Sequence, residues 1–402
     1  TQRAFSRVSH LAGYTGLYNN LLTASKMMKF VNTFEKHRQE PNISLEEYTK
    51  GLRLQLGEEI KSCKKIYLDT NYWLELRNVI LGRQKNKNFV KLLALLHNGV
   101  KAGKLICPIS DENYYEILLQ SDPSTLSASA SLIDDLSRGV ALLSTEERIK
   151  FEILYFIHSS TKGKNSVCHP DIFVWSKVSY IYGASHPTST TFSPEEELVI
   201  QKAFFDQMWS LSLTDMIKVI GMDNILSMPK YNDISEKLNE SKIKYANENN
   251  SFEQRFLSEI AGVIDLFQPL FEDALVYLFE KEKGYKPATE EVEATNNSGK
   301  QMANLIYHAF KKDKLGNYFP SLVIGAGLHA SVRQDVNRKF KTNDMSDFRH
   351  AQAALPYFDY FFTEHSLRDL VSRNNIRFDK KYNCKVLSDP GQAVECVTKI
   401  CS

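Results

Sequence analysis

Apolar residues change their spacing several times along the chain, and these changes divide it into segments. In residues 1–62, apolar positions between Leu17 and Phe34 form the broad stripe of an amphipathic helix. Further on, Ser44 and Glu47 have the spacing of a capping box that opens another helix. We therefore predict a helical N-terminal segment over 1–62 that covers another surface or forms an oligomer contact.

Residues 63–158 alternate short apolar runs with helical patterns. The apolar runs with the length of buried strands are Ile66-Tyr67-Leu68, Leu105 to Ile109, and Val140 to Leu143. Helical patterns over Tyr72 to Leu81 and Phe89 to Val100 separate the first two runs, and Gly99 or Gly103 ends the second helix. Strands that alternate with helices predict right-handed crossovers and a parallel sheet.

Residues 159–340 interrupt this alternation and predict a mainly helical insertion. The stretch 159–194 is polar and rich in Ser and Thr, so we expect long loops there. Helical patterns follow, and Lys283 to Gly299 has the composition of a surface loop between two of them.

The alternation of helix and strand returns over 341–402. An alanine-rich helix is predicted from Asp347 to Leu355, followed by a strand over Tyr360 to Thr363. Lys385-Val386-Leu387 is a candidate last strand, and Pro390 is suited to the first turn of a final helix. The sequence therefore predicts an α/β domain in two parts, 63–158 and 341–402, separated by the insertion.

Composition limits the classes of protein that need to be considered. A content of 43% hydrophobic and 24% charged residues is typical of a globular protein, and the net charge of +2 means that a nucleic-acid binder would need a local basic patch. Six dispersed cysteines without a CxxC pair indicate reduced thiols and a cytoplasmic protein. No apolar run reaches the length of a membrane span and no secretory signal is evident, so we expect no membrane contact.

Acidic residues recur where the predicted strands end. Asp69 follows the first strand, Glu116 lies in the helix after the second, and Glu364 follows the strand over 360–363. Asp344 and Asp347 open the helix before that strand and share one face. Open α/β sheets bind ligands at the carboxyl ends of their strands, and clustered carboxylates favour a cation such as Mg²⁺ or Mn²⁺. Such ions can activate water and stabilise the leaving oxygen of a phosphodiester.

The chain resembles PIN-domain nucleases in four short motifs. The motifs are Tyr67-Leu68-Asp69-Thr70-Asn71, Glu116, Ser346 to Ala354, and Asp359 to Glu364. The resemblance implies a Rossmann-like three-layer sandwich and a metal-dependent ribonuclease. It places Asp69, Glu116 and Asp347 at the metal-binding carboxylate positions. Glu364 stands where the family more often has aspartate, and Asp359 matches a frequent acid before the last motif strand.

Cationic and polar residues near these motifs are candidates for binding substrate. The candidates are Asn71, Lys85, Lys87, Lys341, Arg349 and His350. Lysine and arginine clusters hold nucleic-acid phosphates, although a solvated helix face explains the same clusters. A purely structural role also explains the acids: they have the positions of helix N-caps or of first-turn residues favoured by the helix dipole.

These patterns lead to one main hypothesis and two alternatives. The main hypothesis is an Mg²⁺- or Mn²⁺-dependent endoribonuclease that acts on single-stranded or transfer RNA, and the PIN resemblance implies a role as a toxin or defence effector. The helical insertion would then select the substrate, gate the site, or contact a regulatory protein or a second copy. The first alternative is a catalytically degenerate PIN-like module that binds RNA or protein. The second is a DNA nuclease of the related flap-endonuclease type.

Overall fold

The computed structural model describes residues 31–162, 169–188, 191–229, 232–246, 251–285, 287–312 and 315–402. The side chains of residues 162 and 289–296 are outside this description. Most of the predicted N-terminal apolar stripe also falls outside it. No helix in the described ranges is both long and apolar enough to cross a membrane.

The described chain is a mixed α/β structure in which helices predominate. The helices are α1 (Phe34–Gln39), α2 (Leu45–Glu59), α3 (Thr70–Ile80), α4 (Lys87–Lys101), α5 (Asp111–Leu118), α6 (Pro123–Ser137), α7 (Thr145–Lys162), α8 (Pro170–Phe173), α9 (Pro194–Trp209), α10 (Leu213–Ile220), α11 (Met222–Leu226), α12 (Ser235–Lys244), α13 (Phe252–Lys283), α14 (Thr289–Phe310), α15 (Pro320–Gln334), α16 (Asp344–Tyr357), α17 (His365–Val371), α18 (Phe378–Lys381) and α19 (Pro390–Cys401). The strands are β1 (Lys64–Leu68), β2 (Leu105–Ile106), β3 (Val140–Leu142), β4 (Trp175–Lys177), β5 (Tyr360–Phe362) and β6 (Lys385–Leu387).

A small parallel sheet of four strands lies at the centre, in the order β2-β1-β5-β6. Strands β3 and β4 form an antiparallel pair, and a parallel bridge between Ile109 and Ala141 joins that pair to the chain beyond β2. Because β1, β2, β5 and β6 all run in the same direction, their carboxyl ends share one edge of the sheet and their amino ends share the other.

Side chains that alternate along β1 divide the interior into two apolar cores. Ile66 and Leu68 pack with α3, α4, α6, α9, α10 and α19 on one side. Tyr67 packs with α7, α13, α14, α15 and α16 on the other. Successive residues of a strand point to opposite faces, so a fully buried run such as this one requires helices on both faces of the sheet. Helices α9 and α10, and α13 to α15, all lie within the predicted insertion, so this region contributes to both cores.

The helix ends follow local sequence signals. Ser44 and Glu47 form the predicted capping box of α2, with the Glu47 N–H donating to Ser44 Oγ at 3.2 Å. Gly103, with φ +67°, ends α4. Gly99 has a different role, because an added Cβ there would lie 2.5 Å from a Leu105 methyl carbon. The absence of a side chain at this position lets α4 approach β2 closely.

Two predictions for the insertion are wrong. The stretch 159–194 was expected to be long loops, but its described part contains α8 and β4, and β4 pairs with β3. The predicted surface loop over 283–299 is largely replaced by α14, which begins at Thr289. Both segments are rich in polar residues, and contacts with distant parts of the chain decide their conformation. A local sequence pattern does not contain those contacts.

Candidate functional site

Adjacent strands bring Asp69 and Glu364 together at the carboxyl edge of the sheet. Asp69 follows β1 and caps α3, where its Oδ1 accepts the Tyr72 N–H at 3.1 Å. Glu364 follows β5, which pairs with β1, and its backbone N–H donates to Asp69 Oδ2 at 3.2 Å. Two backbone donors therefore hold the Asp69 carboxylate in place, while the exposed Glu364 side chain lies on the rim.

Helices α5 and α16 supply the other two acids. On α16, the Ser346 hydroxyl donates to Glu116 Oε1 of α5, and His350 Nε2 lies 3.1 Å from Glu116 Oε2. Asp347 is the next residue after Ser346, and no hydrogen bond from another described side chain reaches its carboxylate. The carboxylates of Asp69 and Glu364 act electrostatically on Asp347, so the elements carrying the four acids converge.

The charge at this edge is only partly neutralised. Burial raises the pKa of Asp69 to about 6, although the positive charge of His350 opposes the change. Burial also raises the pKa of Asp347 to about 7, and the neighbouring Asp69 and Glu364 carboxylates raise it further against the opposing effect of His350. A carboxylate whose ionisation is this unfavourable is stabilised by any added cation.

His350 is an internal cation of the site. The residue is 3% exposed, and its ring has Nδ1 2.6 Å from the Tyr67 hydroxyl and Nε2 3.1 Å from Glu116 Oε2. The Tyr67 hydroxyl in turn lies 2.7 Å from Ser110 Oγ. Burial alone would lower the pKa of His350, but the hydrogen bond and charge of Glu116 raise it to about 9. Both ring nitrogens therefore contact protein groups. His350 was a candidate for binding substrate in the sequence analysis, but neither nitrogen is left to contact a substrate phosphate.

Glu116 is correspondingly held as a carboxylate. Burial would raise its pKa, but the hydrogen bond and charge of His350, together with the Ser346 hydroxyl, outweigh burial and lower the pKa to about 2. The pair His350–Glu116 thus links α16 to α5 as an ion pair with most of its surface buried. Glu116 has less capacity left for a further ligand than Asp347 has.

Two of the predicted metal ligands, Asp344 and Asp359, have carboxylates that already pair with cations of the protein. Asp344 is buried, and its carboxylate accepts Arg338 Nη2 at 2.8 Å and the Lys341 N–H at 3.0 Å, which fixes the turn before α16. Asp359 precedes β5 and therefore lies at the amino edge of the sheet, where it pairs with Lys64 Nζ at 2.8 Å. Asp359 is therefore separated from the other acids, whereas Asp344 acts electrostatically on Asp347 but has its own charge offset by Arg338.

The predicted substrate-binding residues are mostly exposed around the acids. Asn71 is exposed in the first turn of α3, beside Asp69, and Lys341 is exposed before α16. Lys85 and Lys87 are exposed at the start of α4. On α16, Arg349 has a side chain that is 39% exposed, and its Nη1 lies 3.4 Å from Glu112 Oε2 on α5.

Several polar residues of the site were missed by the sequence analysis. Tyr67 belongs to a fully apolar strand pattern, so nothing local indicates its hydroxyl contacts. Ser110 caps α5 with Asn113 at N3, and Asn113 Nδ2 donates to the Leu68 carbonyl at 3.2 Å. The spacing of Ser110 and Asn113 is the local signal that could have identified this cap. Ser346 directly precedes Asp347, and in that motif only the acidic residue was predicted to act in the site.

Comparisons with known proteins do not assign this site. No protein-family model matches the chain, and no curated protein or solved structure matches it. Among the described residues, no group of three or more His, Cys, Asp and Glu side chains is gathered as a metal-binding set. The donor chemistry nevertheless fits a hard divalent cation, because Asp69, Asp347 and Glu364 offer carboxylate oxygens around negative charge that the protein only partly offsets.

Proposed function

We propose that this protein is an Mg²⁺- or Mn²⁺-dependent endoribonuclease with a PIN-like catalytic core. One observation carries the proposal: Asp69, Asp347 and Glu364 come from β1, α16 and the end of β5, and they influence one another at the carboxyl edge of a parallel sheet. This edge is where open α/β sheets bind their ligands. The order of the acids along the chain is also that of the PIN motifs.

Each acid has a distinct role in this proposal. Asp69 and Asp347 would hold the cation, with Asp69 already oriented by two backbone N–H donors. Glu364, exposed on the rim, would complete the ligand set or accept a proton from the attacking water. Glu116 positions Ser346 and His350 and so fixes α16 relative to the sheet. A divalent ion supplies electrostatic stabilisation of the phosphodiester and of an activated water when bound.

RNA would be held by the cations around this edge. Lys341 and Arg349 flank the start of α16, and Lys85 and Lys87 project from the start of α4. Their side chains would contact phosphates without reading sequence, with an affinity that falls as salt is raised. Single-stranded and transfer RNA are the substrates we expect, and a role as a toxin or defence effector follows from the PIN resemblance.

A second candidate function is a PIN-like module that binds RNA or protein without cleaving. His350 favours this alternative, because it places a built-in cation where a catalytic cluster would otherwise depend on a metal. The lack of a ready metal-binding group among the described side chains points the same way. Mn²⁺ binding and cleavage therefore need to be measured separately.

The test is cleavage of total cellular RNA and of matched single-stranded RNA, transfer RNA and DNA by purified protein, with Mn²⁺, Mg²⁺ or EDTA. The double variant Asp69→Asn/Asp347→Asn should lose at least about 100-fold in rate, because two ligands that each contribute several kcal/mol are removed. Asp359→Asn is the matched control, since it neutralises a carboxylate at the opposite edge of the sheet.

Fragments that persist in the double variant would disprove the proposed site. No cleavage by any form, with Mn²⁺ bound or not, would favour the binding module, and cleavage of DNA alone would identify a DNA nuclease.

A further inference from the structure

The amino edge of the sheet carries lysines that the catalytic proposal does not use. Lys64 begins β1, Lys104 precedes β2, Lys385 begins β6, and Lys399 lies in the last turn of α19. All four are exposed. Because the four strands are parallel, their amino ends gather these residues at one edge, opposite the acids.

A groove of about 540 Å³ runs between these elements. Lys64, Lys104 and Lys399 line it, together with Ser62, Gly103 and Tyr360. Lys385 lies close by, since Lys385 and Lys399 both act electrostatically on the Cys396 thiol. The groove is therefore flanked by cations from two strands, from the turn before β2 and from a helix.

Most of this positive charge is not balanced by acids. Asp359 pairs with Lys64 at 2.8 Å, but in the described part of the chain no Asp or Glu side chain forms an ion pair with Lys104, Lys385 or Lys399. The Lys104 ammonium donates to the backbone oxygens of Cys401 and of Ser402. The net charge of the whole chain is only +2, so the groove is a local concentration of charge.

Tyr360 gives the groove an aromatic surface. It is the first residue of β5 and is partly exposed. Its ring packs against the apolar core, which restricts its rotation. A fixed aromatic ring flanked by lysines is the combination by which proteins hold single-stranded nucleic acid, with bases stacked and phosphates paired.

We propose that this groove, lined by Lys64, Lys104, Lys399 and Tyr360, is a second binding surface for single-stranded RNA. The inference rests on the proposed function for the identity of its ligand, and it adds a contact remote from the scissile bond. Five residue steps separate Lys64 from Asp69, roughly 17 Å along β1. Single-strand binding grooves hold about 4–16 nucleotides, so a 20-nucleotide RNA would be long enough to contact both edges of the sheet, whereas a 4-nucleotide RNA would contact only one. The groove would then favour long substrates over short ones.

Binding is tested without cleavage, in the Asp69→Asn/Asp347→Asn background. Fluorescence anisotropy would measure the Kd of a labelled 20-nucleotide single-stranded RNA from 50 to 300 mM KCl. The variant Lys104→Ala/Lys385→Ala/Lys399→Ala should weaken binding by about 10- to 100-fold at low salt. Since each single-strand phosphate contact contributes about 0.7 to the slope of log Kd against log salt, the slope should fall by about 2.

The matched control is Lys218→Ala/Lys283→Ala/Lys300→Ala, which removes the same charge from exposed positions on other helices. It should change Kd by less than about 3-fold, because only the long-range field is altered. Tyr360→Leu should weaken RNA binding by about 5-fold or more, the loss expected for one stacked base. Circular dichroism melting of each variant would verify that it is folded.

Two results separate this inference from the proposed function. If wild-type protein cleaves RNA but the groove and control variants bind RNA equally well, the groove proposal is refuted and the nuclease stands. If wild-type protein does not cleave but the groove variant alone loses affinity, the second surface is supported and the nuclease is refuted. In an active enzyme, the groove variant should raise KM for a 20-nucleotide RNA and leave KM for a 4-nucleotide RNA unchanged.

Discussion

The charge on Asp347 should make the metal-free protein less stable than a variant that lacks this charge. Its pKa rises from 3.8 to about 7 because of burial and the neighbouring carboxylates. At about 1.36 kcal/mol for each factor of ten, ionising it in the folded protein costs roughly 4 kcal/mol. The side chain is partly exposed, and solvent screening reduces this value to roughly 2 kcal/mol. Asp347→Asn keeps the shape and removes the cost.

The effect has a defined dependence on pH. Below pH 3.8 the carboxyl is protonated in both the folded and the unfolded protein, and it contributes nothing. As the pH rises towards 7, the unfolded chain ionises while the folded protein retains the proton, so the folded state loses stability relative to the variant. Unfolding of a chain this long carries an entropy of roughly 0.8 kcal/mol/K, so the variant should melt about 2 °C higher at pH 8 in EDTA and close to wild type at pH 4.

Adding Mn²⁺ should reverse this order. A ligand at 100 times its Kd stabilises the form that binds it by about 2.7 kcal/mol, or about 3 °C here, and Asp347→Asn removes a proposed ligand. Differential scanning fluorimetry at several pH values, with EDTA or Mn²⁺, measures both effects. Asp359→Asn serves as the control and should show neither. A variant that melts below wild type at pH 8 in EDTA, or a gain that does not change with pH, would refute the reasoning.

Three further predictions concern residues around the site and the core. His350→Leu should lower the free energy of unfolding by about 3 kcal/mol at pH 6, because the buried Glu116 carboxylate then has no cationic partner. The raised pKa of His350 means that its stabilising contribution is fully present below pH 6.5 and is lost as the pH rises through 9. The difference between variant and wild type in urea unfolding should therefore shrink by pH 9.5. Asp344→Asn should cost about 2 kcal/mol of stability yet leave the cleavage rate near that of wild type, unlike Asp347→Asn; an equal loss of rate in both would restore Asp344 as a ligand. Gly99→Ala should lower the free energy of unfolding, measured in urea, by about 1–3 kcal/mol, because the added Cβ would press on Leu105. Gly51→Ala is the control: its Cβ would meet nothing within 4 Å, so it should stabilise α2 by about 0.5–1 kcal/mol.

Much of the architecture near the acids was accessible from local sequence. The apolar run before Asp69 predicts a strand, and the same reasoning places Glu364 after β5. Parallel strands share an edge for their carboxyl ends, so no long-range information was needed to expect these two acids together. The position of Asp359 could have been excluded by the same rule, since an acid that precedes a parallel strand lies at the opposite edge.

Other features depend on contacts that no local pattern contains. His350 meets Tyr67 and Glu116 across 283 and 234 positions of sequence, and only the fold reveals that both ring nitrogens are occupied. The three residues of β4 include a serine and a lysine, and pairing with β3 decides their conformation. The polar sequence before residue 300 indicated a loop, whereas α14 forms there and packs along α13.

The pairing of β1 with β5 has a consequence for synthesis on the ribosome. The hydrogen bond between the Glu364 N–H and Asp69 spans 295 positions, so β1 lacks one of its neighbours until β5 has been translated. At about 5–20 residues per second, roughly 15–60 s pass between synthesis of the two ends of that bond. The acidic edge therefore cannot be assembled on a nascent chain that stops short of β5, and the proposed nuclease site would stay incomplete beside the messenger and ribosomal RNA until that strand has been made.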